Sequence, residues 1–497
     1  MGVATVQTPA MSRSLDHRDG PRDECGVFGI FAPGHEVARL SYFALFAQQH
    51  RGQESAGIAT APYGGPIMAI RDQGLVSQVF KDDHVLRSLI GDLAIGHVRY
   101  STTGASAWEN TQPIVRDDHR SLALAHNGNL INAVALHTEL RGRDVPFRST
   151  SDSEIIAALI ATNSADEIED AISEVMGRLQ GAFSTVVMTE EKVVAFRDPN
   201  GIRPLSIGRI PAEGDSSSRD VYCVASETCA FDLIGAEFVR DVEPGELVTL
   251  SHAGLTSRRV IEGARRAFCV FEHIYFARPD SLMQGRRLQV SRARMGELLW
   301  REAPVEADLV IPVPDSGNPA ARGLARAAKL PQDDGFIKNR YVARTFIQPG
   351  QELRKLGVRM KFNPVPEVVA GKRLIVVDDS IVRGTTDRQI VHMLRDAGAA
   401  EVHLRISAPP IKHPCHYGID MSAREEMIAH GRTVAEIAAE LGADSLHYLS
   451  MDAVYEAIQG SPADHCDACF SGHYPLEGTE DHAGKYALER ELPLIRA

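Results

Sequence analysis

The 497-residue chain has no uninterrupted apolar run of the roughly 18 to 20 residues that a helix needs to cross a bilayer. Residues 1–24 also lack the continuous apolar stretch of a secretory signal, and Val6 stands where a myristoylation motif wants Ser or Thr. Secretion and membrane attachment are not expected. Cysteine is scarce: seven in the whole chain are too few for a disulfide-stapled scaffold, and the odd count leaves at least one unpaired. A reducing cytoplasm fits that usage. Positive charge is in deficit, with 53 Lys plus Arg against 66 Asp plus Glu and a formal net charge of -13. A nonspecific nucleic-acid binder needs the opposite field to displace counterions from phosphates, so the balance argues against that class while leaving room for a local basic pocket for one small anion. Neither an internal repeat nor a low-complexity tract is visible.

What is present is an ordinary globular composition, 44% hydrophobic and 24% charged, which excludes wholesale disorder, collagen-like and coiled-coil architectures. The length suggests two or three domains. Residues 1–24 are polar, end in RDGPRDE and read as a mobile extension. At Cys25 the pattern changes to GVFGIF, and short apolar runs of strand length recur at 93–98, 121–126, 183–188, 192–196 and 221–226. Helical spacing shows at 40–50 and 152–161. This half predicts layered α/β structure with antiparallel sheets. After about residue 255 the strand runs DLVIPV, RLIVVDD and EVHLRIS alternate with helical stretches, the pattern of a parallel sheet covered on both faces. The expected divisions are 1–24, 25–255, 256–472 and a charged tail at 473–497, loosely held.

In RLIVVDDSIVRGTTDRQIV an apolar strand delivers Asp378 and Asp379 to its carboxyl end, where ligands bind in open α/β sheets, and a helix opens immediately after. Backbone N–H groups around Ser380, Arg383, Gly384, Thr385 and Thr386 can cradle a phosphate, while the two carboxylates can hold sugar hydroxyls or Mg2+. A lone Asp pair would merely cap the helix, but the whole string resembles the phosphoribosyl pyrophosphate (PRPP) motif of type I phosphoribosyltransferases. That resemblance implies PRPP binding. It also makes the Pro-Asp-Ser-Gly turn of VIPVPDSGNPAARGLA a pyrophosphate and metal loop, with Ser316 as the further Mg2+ contact. The basic segment 338–363, with Lys338, Arg340, Arg344, Arg359 and Lys361, would then be a lid over PRPP; a solvated charged face is the alternative.

Cys25 opens the first ordered segment. If residues 1–24 are removed it gains a free α-amino group, with a pKa near ~7.7 to 8.0, able to act as general base for its own thiol. A lone cysteine before a strand is usually inert packing. The surrounding segments QQHRGQESAGI, GHVRYSTTG, HNGNL and STSDSE, however, resemble those of the N-terminal-nucleophile, or class II, glutamine amidotransferases. The resemblance implies Cys25 as nucleophile, and an Asn127-Gly128 turn can offer an amide and an N–H to an oxyanion. Arg99 suits the α-carboxylate of glutamine and Asp152 its α-ammonium, with Arg51 and Gly52 completing the glutamine site by supporting the Cys25 loop.

Cys269, Cys415, Cys466 and Cys469 form a second group, a Cys-x-x-Cys pair with two distant cysteines. Four thiolates suit Zn2+ or an iron-sulfur cluster, and a redox pair or isolated buried thiols are the other readings. The positions match the ligands of glutamine PRPP amidotransferases that carry a 4Fe-4S cluster, with His416 and His465 as neighbours and Cys223 and Cys229 as core residues. Taken together, the chain resembles that family from Cys25 to about Gly472. The resemblance implies an N-terminal-nucleophile αββα sandwich followed by a type I phosphoribosyltransferase sheet. It implies a pentosyltransferase converting PRPP, glutamine and water to 5-phosphoribosylamine, glutamate and pyrophosphate, at the opening of purine biosynthesis. It further implies one Mg2+ and one 4Fe-4S cluster per subunit, a propeptide cut between Glu24 and Cys25, purine nucleotides as feedback inhibitors, a homotetramer, and neither nucleic-acid nor membrane partners. Two rivals stand beside it: another class II amidotransferase, and a catalytically silent PRPP-sensing regulator.

Overall fold

A computed structural model of the chain describes residues 25–100, 106–212, 219–339, 362–421, 423–476 and Leu488. The first half is built on two antiparallel sheets. One has seven strands, in the order Glu237–Asp241, Ser206–Ile210, Val221–Ala225, Gly26–Phe31, Leu93–Arg99, Ser55–Ala61 and Met68–Gln73. The other has six, in the order Gly254–Arg259, Glu246–Ser251, Val193–Arg197, Gly181–Met188, Ser121–Leu130 and Ile114–Asp117. Alternation decides which side chains meet between them. Val27, Leu93 and Ile95 of the first sheet pack with Ala123, Val186 and Val248 of the second. The opposite face of the first sheet is covered by the helix Val37–Ala47, through Val37, Ala38 and Leu45. The opposite face of the second is covered by the helices Ala133–Arg141, Asp152–Ala161 and Ile168–Met176. The result is the four-layered αββα sandwich, which needs both faces of both sheets apolar. That explains why the strands read as continuous rather than alternating runs.

The strand Gly254–Arg259 pairs along its length with Glu246–Ser251, so the expected division at 255 falls inside a hairpin and the sandwich runs on to Arg259. The second half holds a four-stranded, wholly parallel sheet in the order Leu309–Pro312, Arg373–Asp378, Glu401–Ile406 and Ser445–Tyr448. One face packs on Ile390, Leu394 and Ile437 of the helices Thr385–Asp396 and Val434–Leu441. The other packs on Met295, Leu299, Ala321 and Leu324 of the helices Leu288–Glu302 and Asn318–Ala328. That second core also takes in Ala182 and Ile202 of the sandwich, so the two halves share apolar packing. Among the described residues of the C-terminal segment, the Tyr474 hydroxyl donates to the Pro414 carbonyl at 2.7 Å, and Leu488 is buried against the sandwich. Among the described residues no helix is long and apolar enough to cross a membrane.

The helices Leu288–Glu302 and Asn318–Ala328 touch backbone to backbone. A Cβ on Gly296 would lie 1.8 Å from the Ala320 carbonyl oxygen, and one on Gly323 at the same distance from that of Ala293. Gly296→Ala is expected to force these helices apart and destabilise the second half by about 1–3 kcal/mol, measured as a lower denaturation midpoint at unchanged cooperativity.

Candidate active site

Cys25 leads into the strand Gly26–Phe31, between Leu93–Arg99 and Val221–Ala225. It is 6% exposed, and its Sγ donates to the Tyr100 carbonyl at 3.3 Å. Burial pushes the thiol up to about 11, against the lowering effect of the Tyr100 hydrogen bond and the Arg99 charge. At neutral pH the thiol therefore keeps its proton and needs a base before it can attack. His97, opposite Val27 on the neighbouring strand, is too weakly basic: burial pushes it down to about 3. His126 is also lowered by burial.

The charges felt by the Cys25 thiol are Arg99, Glu54 and Asp152, which brings together the two side chains assigned to the ends of glutamine. Arg99 is nearly buried, with Nη1 3.8 Å from Glu54. Asp152 begins the helix Asp152–Ala161 and accepts from the Leu130 N–H at 3.0 Å. That bond ties the Asn127–Leu130 segment to the same surroundings.

Asn127 and Gly128 do not form the expected turn. They lie inside the strand Ser121–Leu130, opposite Ser184 and Phe183. The reason is steric: Gly128 has φ +152°, and a Cβ there would sit 1.9 Å from the Ala182 carbonyl oxygen. The glycine permits a close strand approach rather than a reversal. Among the described residues the buried Asn127 Nδ2 group has no hydrogen-bond partner. A buried amide donor with no acceptor is costly unless an acceptor arrives, and a developing oxyanion is one. Gly52 is forced by contact, since a Cβ would lie 2.5 Å from the Val98 carbonyl carbon. Arg51 turns inward, its Nε donating to the Cys25 carbonyl at 3.1 Å, so it supports the Cys25 backbone rather than reaching toward substrate.

At the second site Asp378 ends its strand at the carboxyl edge of the parallel sheet, with Asp379 next. Both are buried and both carboxyls are raised, Asp378 well above its usual range, by burial and by the charges of its neighbours Asp379 and Asp387. Ser316 hydrogen-bonds the Asp379 side chain, and the Ser380 hydroxyl donates to it at 2.5 Å. The three residues assigned to Mg2+ are thus together. Gly384 takes a left-handed φ of 73° and caps the helix Thr385–Asp396, leaving Thr385 and Thr386 in its first turn with N–H groups facing out of the helix end. The Arg383 guanidinium pairs with Glu426 at 2.7 Å, so only its backbone is available to a phosphate. Lys338 forms an ion pair with Asp315 beside the Ser316 loop. Arg340, Arg344, Arg359 and Lys361 lie outside the described residues.

A family profile described as a glutamine amidotransferase domain matches residues 97–232. The amidophosphoribosyltransferase of Synechococcus elongatus is 50% identical over 470 residues, covering 94% of each chain. The chain belongs to the amidophosphoribosyltransferase family. A solved structure of the allosteric regulatory enzyme of purine biosynthesis superposes with a TM-score of 0.86 at 47% identity, covering 93% of this chain and 99% of that one. The glutamine PRPP amidotransferase of Bacillus subtilis, solved with ADP and GMP, does so with a TM-score of 0.85 at 46% identity, over 93% and 100% of the two chains.

None of the seven cysteines is in a disulfide. Cys223 and Cys229 are buried in the first half, as expected of core residues. The other four converge. Phe268–Cys269 pairs in parallel with His465–Cys466, and the Lys412 and His413 N–H groups donate to the Cys469 carbonyl at 3.0 and 3.1 Å. Cys469, raised well above its usual value by burial, also feels Cys269, Cys415 and Cys466. Among the described residues no three potential ligands already stand in metal-binding geometry, yet three buried thiols and the half-buried Cys415 beside them are the donor set that a closed thiolate site requires. His465 is engaged elsewhere, with Gln284 at 3.0 Å and the Ser461 carbonyl at 2.9 Å.

Sequence reasoning missed Glu227, Glu272, Arg203 and Arg292, all buried around Arg51 and the Cys269 segment. A signal was there: Glu272 interrupts the apolar run CVFEHIYF, where a carboxylate must have a buried partner. Asn127→Ala is expected to lower glutamine-dependent turnover about 10²- to 10³-fold, the effect of losing one oxyanion donor. Ammonia-dependent turnover should be unchanged, as measured by parallel steady-state assays.

Proposed function

We propose that this amidophosphoribosyltransferase makes 5-phosphoribosylamine, the first step of purine biosynthesis, by two half-reactions joined by ammonia. Cys25 Sγ attacks the side-chain amide carbon of glutamine; the C–N bond breaks, ammonia leaves and a glutamyl thioester remains, which water cleaves to glutamate and free thiol. The Asn127 amide and Gly128 N–H stabilise the tetrahedral oxyanion, Arg99 takes the α-carboxylate and Asp152 the α-ammonium of glutamine. The base is the α-amino group of Cys25, freed by cleavage after Glu24. The observation that carries the nucleophilic reading is the placing of the buried Cys25 thiol, at the head of the strand Gly26–Phe31 and within the field of Arg99 and Asp152.

Ammonia then attacks C1 of PRPP as the pyrophosphate bond to C1 breaks. Ser316, Asp378 and Asp379 would hold Mg2+, which when bound neutralises charge on the leaving pyrophosphate. Burial pushes both carboxyls up, and the charge of Asp379 pushes Asp378 up further, so a cation would favour their ionised forms. The helix start at Gly384, Thr385 and Thr386 binds the phosphate of the ribose, and Lys338 and the lid shield the reaction from water.

Cys269, Cys415, Cys466 and Cys469 would hold a 4Fe-4S cluster that clamps the C-terminal segment. The Bacillus subtilis relative is solved with ADP and GMP, and purine nucleotides acting as inhibitors on a cytoplasmic homotetramer complete the reading.

Cys25→Ala is expected to abolish phosphoribosylamine formation from glutamine while retaining it from ammonium chloride, with intact mass of the active wild-type protein starting at Cys25. Loss of both activities in a folded variant, or active protein starting at Met1 or Gly2, would overturn these roles. Anaerobically purified protein should be brown, with about four iron atoms per chain, as a four-thiolate 4Fe-4S site requires. A colourless, zinc-containing preparation would refute the cluster.

A further inference from the structure

The Arg51 side chain is wholly buried, and every arm of its guanidinium is occupied. Nε donates to the Cys25 carbonyl at 3.1 Å, Nη1 to Glu227 at 2.6 Å and to Glu272 at 3.1 Å, and Nη2 to Glu272 at 2.6 Å. Glu272 thus grips the fork with both oxygens, the geometry that fixes a guanidinium in orientation as well as place. Glu227 belongs to the sandwich and is held by His50, Ser281 and the Arg278 N–H as well. Glu272 comes from the other half, on the short π-helical turn Glu272–Phe276. That turn is fixed by Arg292, whose guanidinium donates to the carbonyls of Glu272, His273 and Ala277 at 3.3, 2.8 and 2.7 Å. Arg292 lies on the helix Leu288–Glu302, within the field of Asp379.

We propose that Glu272, contributed by the transferase half, is a positioning residue of the glutaminase site, holding Arg51 so that its Nε fixes the Cys25 carbonyl and with it the stance of the thiol. The proposal rests on the reading of Cys25 as nucleophile. A buried ion pair can be structural ballast. Here the third arm of the fork ends on the nucleophile's own residue, so a rotation of the guanidinium that leaves the fold intact still moves the thiol relative to Asn127. Small displacements of that kind cost rate rather than affinity.

The test uses full-length enzyme with Glu272→Gln, which keeps the side-chain length and removes the charge. The expected signature is a fall of about tenfold or more in glutamine-dependent kcat, with the KM for glutamine within about threefold of wild type. Ammonia-dependent synthesis should stay within about twofold, and alkylation of Cys25 by iodoacetamide should change in rate. Glu272→Asp, which restores the charge, should recover part of the loss. Arg51→Lys keeps the buried charge balance but removes the Nε donor; it carries the same expectation, and carries the test alone should Glu272→Gln not accumulate. Equal losses of the glutamine- and ammonia-dependent rates, a change in KM alone, or no change in either rate would overturn the proposal. Absence of glutamine-dependent activity in the wild type would instead overturn the assignment of Cys25.

Discussion

Two buried guanidinium groups and two buried carboxylates meet where the halves of the chain join. Arg51 and Arg203 face Glu227 and Glu272, all with no side-chain exposure, and Arg203 reaches on to the Tyr417 carbonyl at 2.8 Å. Removing one partner from such a set leaves a charge stranded in low dielectric, which costs about 3–5 kcal/mol. The set therefore imposes an alignment: the sandwich, the Glu272 turn and the Cys415–Gly418 loop must dock together or not at all. Burial alone would keep Glu227 protonated, but the charges of His50 and Arg51 hold its carboxyl well below the usual carboxylate range. The charge is therefore present across the neutral range, and the docking with it.

The second site applies the opposite electrostatic logic. Burial pushes the carboxyls of Asp378 and Asp379 up rather than down, and the charges of Asp379 and Asp387 push Asp378 further. Where the Arg51 cluster sets opposite charges together, the second site sets two carboxylates side by side. The parallel sheet makes this possible, because every strand delivers its carboxyl end to the same edge and the helix starts at Gly317 and Gly384 open there too.

Much of this was legible from residue order because it is local. The strands at 93–99 and 181–188 announce themselves as apolar runs bounded by turn residues, and the Asp378–Thr386 string places a carboxylate pair and a phosphate cradle within nine residues of one another on one strand-helix turn. What was not legible is non-local. Asn127-Gly128 reads as a reversal, since nothing nearby in the chain announces the Ala182 carbonyl that demands a glycine. The partners of Arg51 lie 176 and 221 residues away, and no pattern in the sequence pairs them. A charged residue in an apolar run says that a partner exists; only the docked halves say which.

The short parallel bridge of Phe268–Cys269 with His465–Cys466 bears on how the chain matures. Beside it, the Arg265 guanidinium holds the carbonyl of Ala463, 198 residues later. Every described strand of the sandwich and of the parallel sheet precedes that point, so both can pair while the chain is being made. The four cysteines cannot come together so early, because Cys466 and Cys469 follow every strand of both.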